Sequence, residues 1–342
     1  MFASCVAVAI AAACTALSNA EAGPLQSSWE PMGRQALEIG RLGAVTLALC
    51  TVVLVAILVA LAWALRRAPR AGSDTPADAS PPPEREARSR RSVIAAVAGS
   101  VFGLLFLIVA SVVTDHALAT LSLKDAVNVT VTANQWWWSL RYDGEVASDT
   151  FITANELHVP VGRPVVLTLH SNDVIHSFWA PNLAGKKDLI PGRTAQLQFR
   201  VDTPGTYRGQ CAEFCGYQHA FMAFDVIAET PEAYAAWAAH QRELAPTPND
   251  QTRQRGHDLL MSTTCVMCHA VQGTAALAQH GPDLTHLASR RRIAAGTLPN
   301  DAESLKQWIR DPQKFKPGTT MPASNMSDAE LDAVVAYLGT LR

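Results

Sequence analysis

The chain has 342 residues, with 28 lysines and arginines against 30 aspartates and glutamates, and a formal net charge of −2. This length allows two modest globular domains besides a membrane segment, and the near-zero charge gives no sign of nucleic-acid binding. Of its seven cysteines, three lie in apolar or exported segments and four lie in two motifs of the redox-metal type.

Residues 1–22 predict an export signal, because a short apolar core at 6–13 is followed by small residues. No basic residue precedes this core. Cleavage is expected after Ala20 or Ala22. In the alternative interpretation, Ala11-Ala12-Ala13-Cys14 is a lipoprotein signal and Cys14 is lipidated.

An N-terminal outer segment, 23–42, precedes two predicted transmembrane helices at 43–65 and 93–114. Both are uncharged, and each is long enough to cross a hydrocarbon core of about 30 Å. A buried core helix is the alternative for either run. The stretch between them, 66–92, is predicted to be a flexible cytoplasmic linker. It is rich in arginine, and basic residues beside spans stay in the cytoplasm. These arginines are Arg66, Arg67, Arg70, Arg85, Arg88, Arg90 and Arg91.

Residues 115–230 predict a domain made of β-strands. Val127, Val129 and Val131 alternate with polar residues, which indicates a half-buried strand, and Pro-Gly pairs mark turns. A helix and hinge at 231–248 follow. The segment 249–342 is predicted to consist of helices separated by glycine and proline loops.

Soft metal ligands crowd one short loop of the β-domain. Cys215, His219 and Met222 supply a thiolate, an imidazole and a thioether, and His176 upstream supplies the second imidazole of a copper site. Cys211 is then in surplus. A second thiolate can bridge, so the loop predicts two copper ions that share both sulfurs. A disulfide or a zinc site is the alternative, but neither has a use for the thioether.

This loop resembles the copper A domain of cytochrome c oxidase subunit II, whose motif is Cys-x-Glu-x-Cys-Gly-x-x-His-x-x-Met. The resemblance extends through 173–179, 185–193 and 204–210. It implies an all-β cupredoxin Greek-key barrel for 115–230. It also implies, for the Glu213 side chain, a magnesium site at the junction with subunit I. The implied copper A ligands are His176, Cys211, Cys215, His219, Met222 and the backbone carbonyl of Glu213.

A second redox motif is Cys265-Val266-Met267-Cys268-His269. The spacing C-x-x-C-H predicts covalent haem c, with both thiols bonded to the haem and the imidazole bound to iron. Zinc half-sites and redox dithiols share this spacing.

Met321 is predicted to be the opposite axial ligand of the haem iron, because Pro317-Gly318 and Pro322 make its loop rigid. A thioether ligand raises the potential of an electron-transfer haem. Met261, Met267 and Met326 are competing candidates. The segment 249–342 resembles an all-α class I cytochrome c domain.

A tryptophan cluster, Gln135-Trp136-Trp137-Trp138, lies outside both ligand sets. Trp136 matches the first tryptophan of a family element that lies over the copper pair and admits electrons from cytochrome c. Trp138 is interpreted as core packing. Asp173 either orients a copper-site group or is a solvated turn residue.

The resemblance implies subunit II of a respiratory haem-copper oxidase. Electrons pass from an external donor to the haem and from the haem to the copper pair. They then pass to the haems of subunit I, where oxygen is reduced to water. The implied partners are subunits I and III and a donor, either cytochrome c or a quinol–cytochrome c reductase. The expected location is the bacterial inner membrane, with two spans and both redox domains on the periplasmic side. The family's proton-channel glutamate has no match at 112–116, so none is assigned.

Three other functions are compatible with these motifs. A nitric oxide reductase also has a copper A subunit, and its large subunit would distinguish it. A membrane-tethered electron carrier would need only one anchor, whereas this chain has two. A copper-delivery protein would not need haem. A quinol oxidase subunit is disfavoured, because that relative lacks the copper ligands.

Overall fold

The computed structural model describes residues 26–67, 83–144 and 146–342. The predicted export signal, the lipidation at Cys14 and much of the predicted linker lie outside these ranges. The described chain divides into a helical unit, 37–121, and a unit that holds both predicted redox domains.

Two long helices contain the predicted spans, α1 (Arg34–Arg67) and α2 (Pro83–Ala119). No residue in the most apolar 18-residue window of either helix is buried. Exposed apolar surface of this extent is unfavourable in water and indicates contact with a membrane or another protein. Both helices are long enough to span a bilayer.

Helix α2 departs from the predicted boundaries at both ends. It begins at Pro83, inside the predicted flexible linker, because proline suits the first helical turn and Glu84 and Glu86 interact favourably with the helix dipole. It continues to Ala119, so the first residues of the predicted copper domain are helical. Alanine and leucine at 117–119 are strong helix formers and extend it.

The β-domain consists of two five-stranded sheets, with strand orders β3-β2-β1-β5-β8 and β4-β10-β9-β6-β7. The pairs β1–β5 and β4–β10 are parallel and the remaining pairs are antiparallel. The strands are β1 Val127–Asn134, β2 Trp137–Tyr142, β3 Phe151–Ala154, β4 Glu156–Pro160, β5 Pro164–Ser171, β6 His176–Trp179, β7 Lys187–Leu189, β8 Ala195–Arg200, β9 Gly205–Cys211 and β10 Ala223–Glu229. Val129 and Val131 of β1 are buried in its core. The predicted cupredoxin fold is confirmed.

Helix α3 (Pro231–His240) follows β10 and is capped by Thr230. Its Trp237 stacks on His158 of β4, with ring centroids 4.0 Å apart. The haem-type motif lies in a small, mostly helical domain, as predicted, which also contains a short hairpin that was not predicted. Its elements are α4 Gln251–Ser262, β11 Arg292–Ile293, β12 Leu298–Pro299, α5 Ala302–Arg310 and α6 Asp328–Leu338. Gly256 of α4 packs so closely on α6 that a Cβ there would overlap the carbonyl of Ala333.

Candidate metal and haem sites

The predicted copper ligands come from two neighbouring strands and one loop. His176 is the first residue of β6 and Cys211 is the last residue of β9. These strands pair with Phe178 opposite Cys211, which brings the two ends together. The loop that follows carries the other ligands. It is closed by a hydrogen bond of 2.9 Å from the Cys211 amide to the Met222 carbonyl.

The donor atoms of this loop converge. Cys211 Sγ lies 3.7 Å from His176 Nδ1 and 3.2 Å from the Glu213 carbonyl oxygen. Cys215 Sγ lies 3.6 Å from His219 Nδ1 and 3.8 Å from Met222 Sδ. Within the described ranges, His176, Cys211 and Cys215 are the only cluster of three potential His, Cys or acidic ligands, with donor atoms within 4.8 Å of one another. Each sulfur therefore has an imidazole beside it.

Both thiols are buried and free, so the alternative disulfide is not formed. A hydrogen bond with Cys215 is the main reason that the pKa of Cys211 lies well below its usual range. The same contact with Cys211 raises the pKa of Cys215. A second thiolate beside the first is stable only with a compensating cation. Two thiolates, two imidazoles and a thioether form the soft set that copper prefers, so the residues present fit copper.

Asp173 orients the His176 ring. Of the two interpretations of Asp173, a residue that orients a copper-site group or a solvated turn residue, the structure therefore supports the first. Its Oδ1 lies 2.7 Å from His176 Nε2, and its Oδ2 accepts a hydrogen bond from the Gln135 amide at 2.6 Å. Burial disfavours the carboxylate, but the hydrogen bonds with His176, Val174 and Gln135 outweigh burial and lower the pKa of Asp173. Nδ1 of His176 is thereby directed at the sulfurs. A carboxylate behind a ligating imidazole is typical of metal sites.

The Glu213 side chain points away from the sulfur cluster. It is 44% exposed and lies 3.8 Å from Lys186 Nζ. It belongs to no cluster of acidic or imidazole groups among the described residues. The magnesium site stays a prediction.

Trp136 connects the two domains. Its Nε1 donates a 2.9 Å hydrogen bond to the Cys215 carbonyl. On the other side, a Cβ at Gly318 of the haem domain would lie 3.6 Å from its ring. Trp136 is therefore only 7% exposed. Trp138 is fully buried and packs edge-on against His176 and Phe178, as its core interpretation predicted.

In the haem domain, Cys265 lies within a short 3-10 helix, Thr264–Met267, and Cys268 follows directly at its C-terminal end. His269 Nδ1 donates a 2.7 Å hydrogen bond to the Pro282 carbonyl, which leaves Nε2 for iron. Burial lowers the pKa of His269 and favours the neutral imidazole that a metal binds. A Cβ at Gly281 would lie 2.7 Å from the ring, so glycine there makes room for it.

Arg290 is a residue that the sequence interpretation missed. Its guanidinium is buried, and Nε has no hydrogen-bond partner among the described residues. Burial lowers its pKa, and its charge in turn lowers the pKa of His269, so the two groups are close. A buried cation needs an anionic partner. Asp283 and Glu156 are its anionic neighbours. The unpartnered Nε can still donate to a haem carboxylate, so the residues present fit haem c. The signal in the sequence was the run Arg290-Arg291-Arg292.

Met321 and Met326 both pack, half-buried, against the core of the haem domain, as does Met261, whereas Met267 is 66% exposed. Gln313 fixes the Met321 loop, because its Nε2 donates to the carbonyls of Thr319 and Met321 at 2.9 and 3.2 Å. The axial role of Met321 remains a prediction.

Comparison with known proteins agrees with both motifs. The family profile described as cytochrome C oxidase subunit II, periplasmic domain, matches residues 144–229, and the profile described as cytochrome c matches 254–342. Cytochrome c oxidase subunit 2 of Alkalihalophilus pseudofirmus is 39% identical over 219 residues, which are 64% of this chain and 62% of that protein. The subunit 2 of Bacillus sp. (strain PS3) is 33% identical over 258 residues, 70% of this chain and 71% of that protein.

Among solved structures, the periplasmic domain of subunit II of cytochrome oxidase from Bradyrhizobium japonicum is 29% identical. The matched region covers 34% of this chain and 93% of the solved chain, with a TM-score of 0.32. The first profile implies copper A and the second implies haem c, in the two regions that hold the corresponding motifs. The chain therefore belongs to the cytochrome c oxidase subunit II family and carries a cytochrome c domain after its copper domain.

Proposed function

We propose that this chain is the electron-accepting subunit of a respiratory haem-copper cytochrome c oxidase. Electrons arrive at its haem c domain, cross to its copper domain and continue to subunit I, where oxygen is reduced to water. One observation carries the proposal. Trp136 is hydrogen-bonded to the Cys215 carbonyl on one side and lies against Gly318 of the haem domain on the other.

In this proposal, Cys211 and Cys215 would provide the thiolates that hold a dinuclear copper centre, and the bound centre would supply one-electron transfer. The remaining copper ligands are His176, His219, Met222 and the Glu213 carbonyl. Asp173 holds the His176 ring with Nδ1 toward sulfur. Trp138 packs against the same ring and restricts its movement. These two contacts would keep the His176 ring in one position whichever redox state the bound copper adopts.

Cys265 and Cys268 would attach the haem covalently, and His269 and Met321 would bind its iron. Pro282 fixes the orientation of His269 through its carbonyl. Arg290 provides a buried positive charge beside it. A buried cation near the haem disfavours loss of an electron, which together with a thioether ligand raises the potential.

The packing against Gly318 supports the proposed route past Trp136. The family element that Trp136 matches admits electrons from a separate cytochrome c, whereas the sequence interpretation of this chain passes them from its own haem to the copper pair. In the structure the chain's own haem domain covers its ring, so an external donor would reach the haem domain first. The donor is proposed to be a cytochrome c or a quinol–cytochrome c reductase.

The two apolar helices and the family assignment make this a membrane protein with an outward-facing copper domain. We place it in the bacterial inner membrane, with both redox domains on the periplasmic side. Subunit I is the partner that the family implies. Subunit III and a magnesium ion at Glu213 are further proposals.

Purification of the membrane complex tests this function. Metal analysis should find two chain-bound coppers and one covalent haem. Electron paramagnetic resonance should show one unpaired electron shared by two coppers. The copurifying large subunit should be a haem-copper oxidase subunit rather than the haem and non-haem iron subunit of a nitric oxide reductase. A single copper per chain would refute the proposal.

A further inference from the structure

Lys316 of the haem domain is a buried lysine at the domain interface, only 2% exposed. Its Nζ donates to two carbonyls of the copper domain, those of Trp136 and Phe221, both at 2.9 Å. It also donates at 3.2 Å to the carbonyl of Ala294 in its own domain. One side chain therefore connects three separate segments of the chain.

This arrangement saturates the ammonium group. Lysine has three donors, and each finds a carbonyl oxygen. Among the described residues Lys316 has no carboxylate partner, and burial lowers its pKa to about 7. A buried cation held only by carbonyls contributes little net stability. Its three acceptors are directional, however, so they fix the position of the segment that carries it.

That segment is the one that meets Trp136. The carbonyl of Pro317 accepts a 2.7 Å hydrogen bond from Gln218 Nε2 of the copper loop. Gly318 follows against the Trp136 ring. Its amide donates a 2.8 Å hydrogen bond to Gln313 Oε1, and Gln313 also holds the Met321 loop. Lys316 thus lies between the proposed axial ligand and the proposed copper site.

Other contacts between the domains hold a different segment. The Arg291 amide donates to Glu156 Oε1 at 2.6 Å, and the Ala223 amide donates to the Ala295 carbonyl at 3.1 Å. These contacts fix the 291–296 loop and do not involve the Trp136 ring. Loss of the Lys316 contacts would therefore leave the domains associated, while the segment at Trp136 would keep the Gln218–Pro317 hydrogen bond but lose the three contacts that fix its position.

We propose that Lys316 is a positioning residue that seats the 316–318 segment on Trp136 and so sets the rate of electron transfer from the haem domain to the copper domain. This inference rests on the proposed function. One electron is lost at the haem iron and one is gained at the copper pair, and no bond forms or breaks. Electron transfer between two centres slows steeply as the gap between them widens.

The test uses the full chain in its membrane complex with Lys316→Met, which keeps the length of the side chain and removes its donors. Lys314→Met, at an exposed lysine of the same loop, is the matched control. The haem is reduced rapidly, and its reoxidation by copper is followed optically. We expect the transfer rate in Lys316→Met to fall several-fold, because the 316–318 segment would sit less closely on the Trp136 ring and the gap between the two centres would widen. The haem spectrum and the copper resonance should stay unchanged.

Lys316→Arg retains the charge and the donors and should recover part of the lost rate, which a general loss of stability would not predict. An unchanged rate in Lys316→Met, or loss of either spectrum, overturns the proposal. Absence of transfer in the unaltered chain would instead refute the proposed function, so the two failures are distinguishable.

Discussion

The copper domain and the haem domain bring their ligands together in opposite ways. His176 and Cys211 are 35 residues apart and meet because β6 pairs with β9. Cys265, Cys268 and His269 lie within one short segment, so their proximity is local. The copper site therefore depends on the register of a sheet, whereas the haem attachment depends on one turn. Substitutions should affect the two sites independently.

Cys211→Ser should have the largest effect on the copper domain. A hydroxyl is a poor ligand for soft copper, and without a second thiolate the two ions cannot share both sulfurs. We expect loss of the shared-electron resonance and fewer coppers per chain, measured by resonance and metal analysis. The haem spectrum should not change. Cys50→Ser, at an exposed thiol of α1, is the control, and persistence of the shared resonance in Cys211→Ser would contradict the bridging role.

Met321→Ala should have the corresponding effect on the haem domain. Loss of the thioether should abolish the low-spin methionine-ligated spectrum and lower the reduction potential. Met326→Ala is the matched variant, because Met326 also packs half-buried in this domain. Optical spectra and a redox titration of the two variants show which methionine binds the iron. If Met326→Ala gives the larger change, Met326 is the ligand.

Gly256→Ala should destabilise the haem domain alone. The added Cβ would overlap the Ala333 carbonyl where α4 packs on α6, and overpacking of this kind costs about 1–3 kcal/mol. The midpoint of denaturant unfolding, followed at the haem band, should fall to a lower denaturant concentration. The copper resonance should not change. Gly339→Ala, whose Cβ would lie 3.3 Å from the nearest oxygen, should shift the midpoint less. Equal shifts would argue against close helix packing.

The local or long-range origin of each feature explains what the sequence predicted. The haem motif and the copper loop are short patterns of donor types, so their residues could be named from the sequence. The alternation at Val127, Val129 and Val131 likewise predicted a strand whose side chains do enter the core. The start of α2 at Pro83 was missed because a proline run was interpreted only as a linker.

The contacts between domains could not be predicted. Nothing near Lys316 in the sequence indicates that it reaches the carbonyls of Trp136 and Phe221, since backbone carbonyls carry no sequence signature. Arg290 was hidden in a basic run that usually indicates an exposed surface. The orientation of Asp173 toward His176 was left open because a turn aspartate has the same sequence whether it is solvated or bonded.

Asp173→Asn tests that orientation with a smaller expected effect. The amide keeps the shape of the side chain but removes the charge that stabilises the His176 N–H. Loss of such a partner lowers metal affinity about 10–100-fold. Competition with a copper chelator measures the change. Asp149→Asn, at an exposed acid of the same domain, should bind copper as the unaltered chain does. Equal affinity in both variants would contradict the role of Asp173.

The smallest effect concerns pH and lies within the copper domain. Burial disfavours the charged form of His158, but Glu156 and Glu229 outweigh burial and raise its pKa. Glu229 Oε2 lies 3.0 Å from its Nδ1. Because the pKa is higher in the folded state, the stabilisation is complete below the unfolded value of about 6.5 and is lost as pH rises through the folded value.

His158→Gln should therefore lower the free energy of unfolding at acidic pH and flatten its dependence on pH above about 6.5. Denaturant unfolding of the copper-loaded chain at several pH values measures it. His170→Gln, at a half-buried histidine on β5, is the matched control. If His158→Gln keeps the natural slope, the two glutamates do not stabilise a charged imidazole.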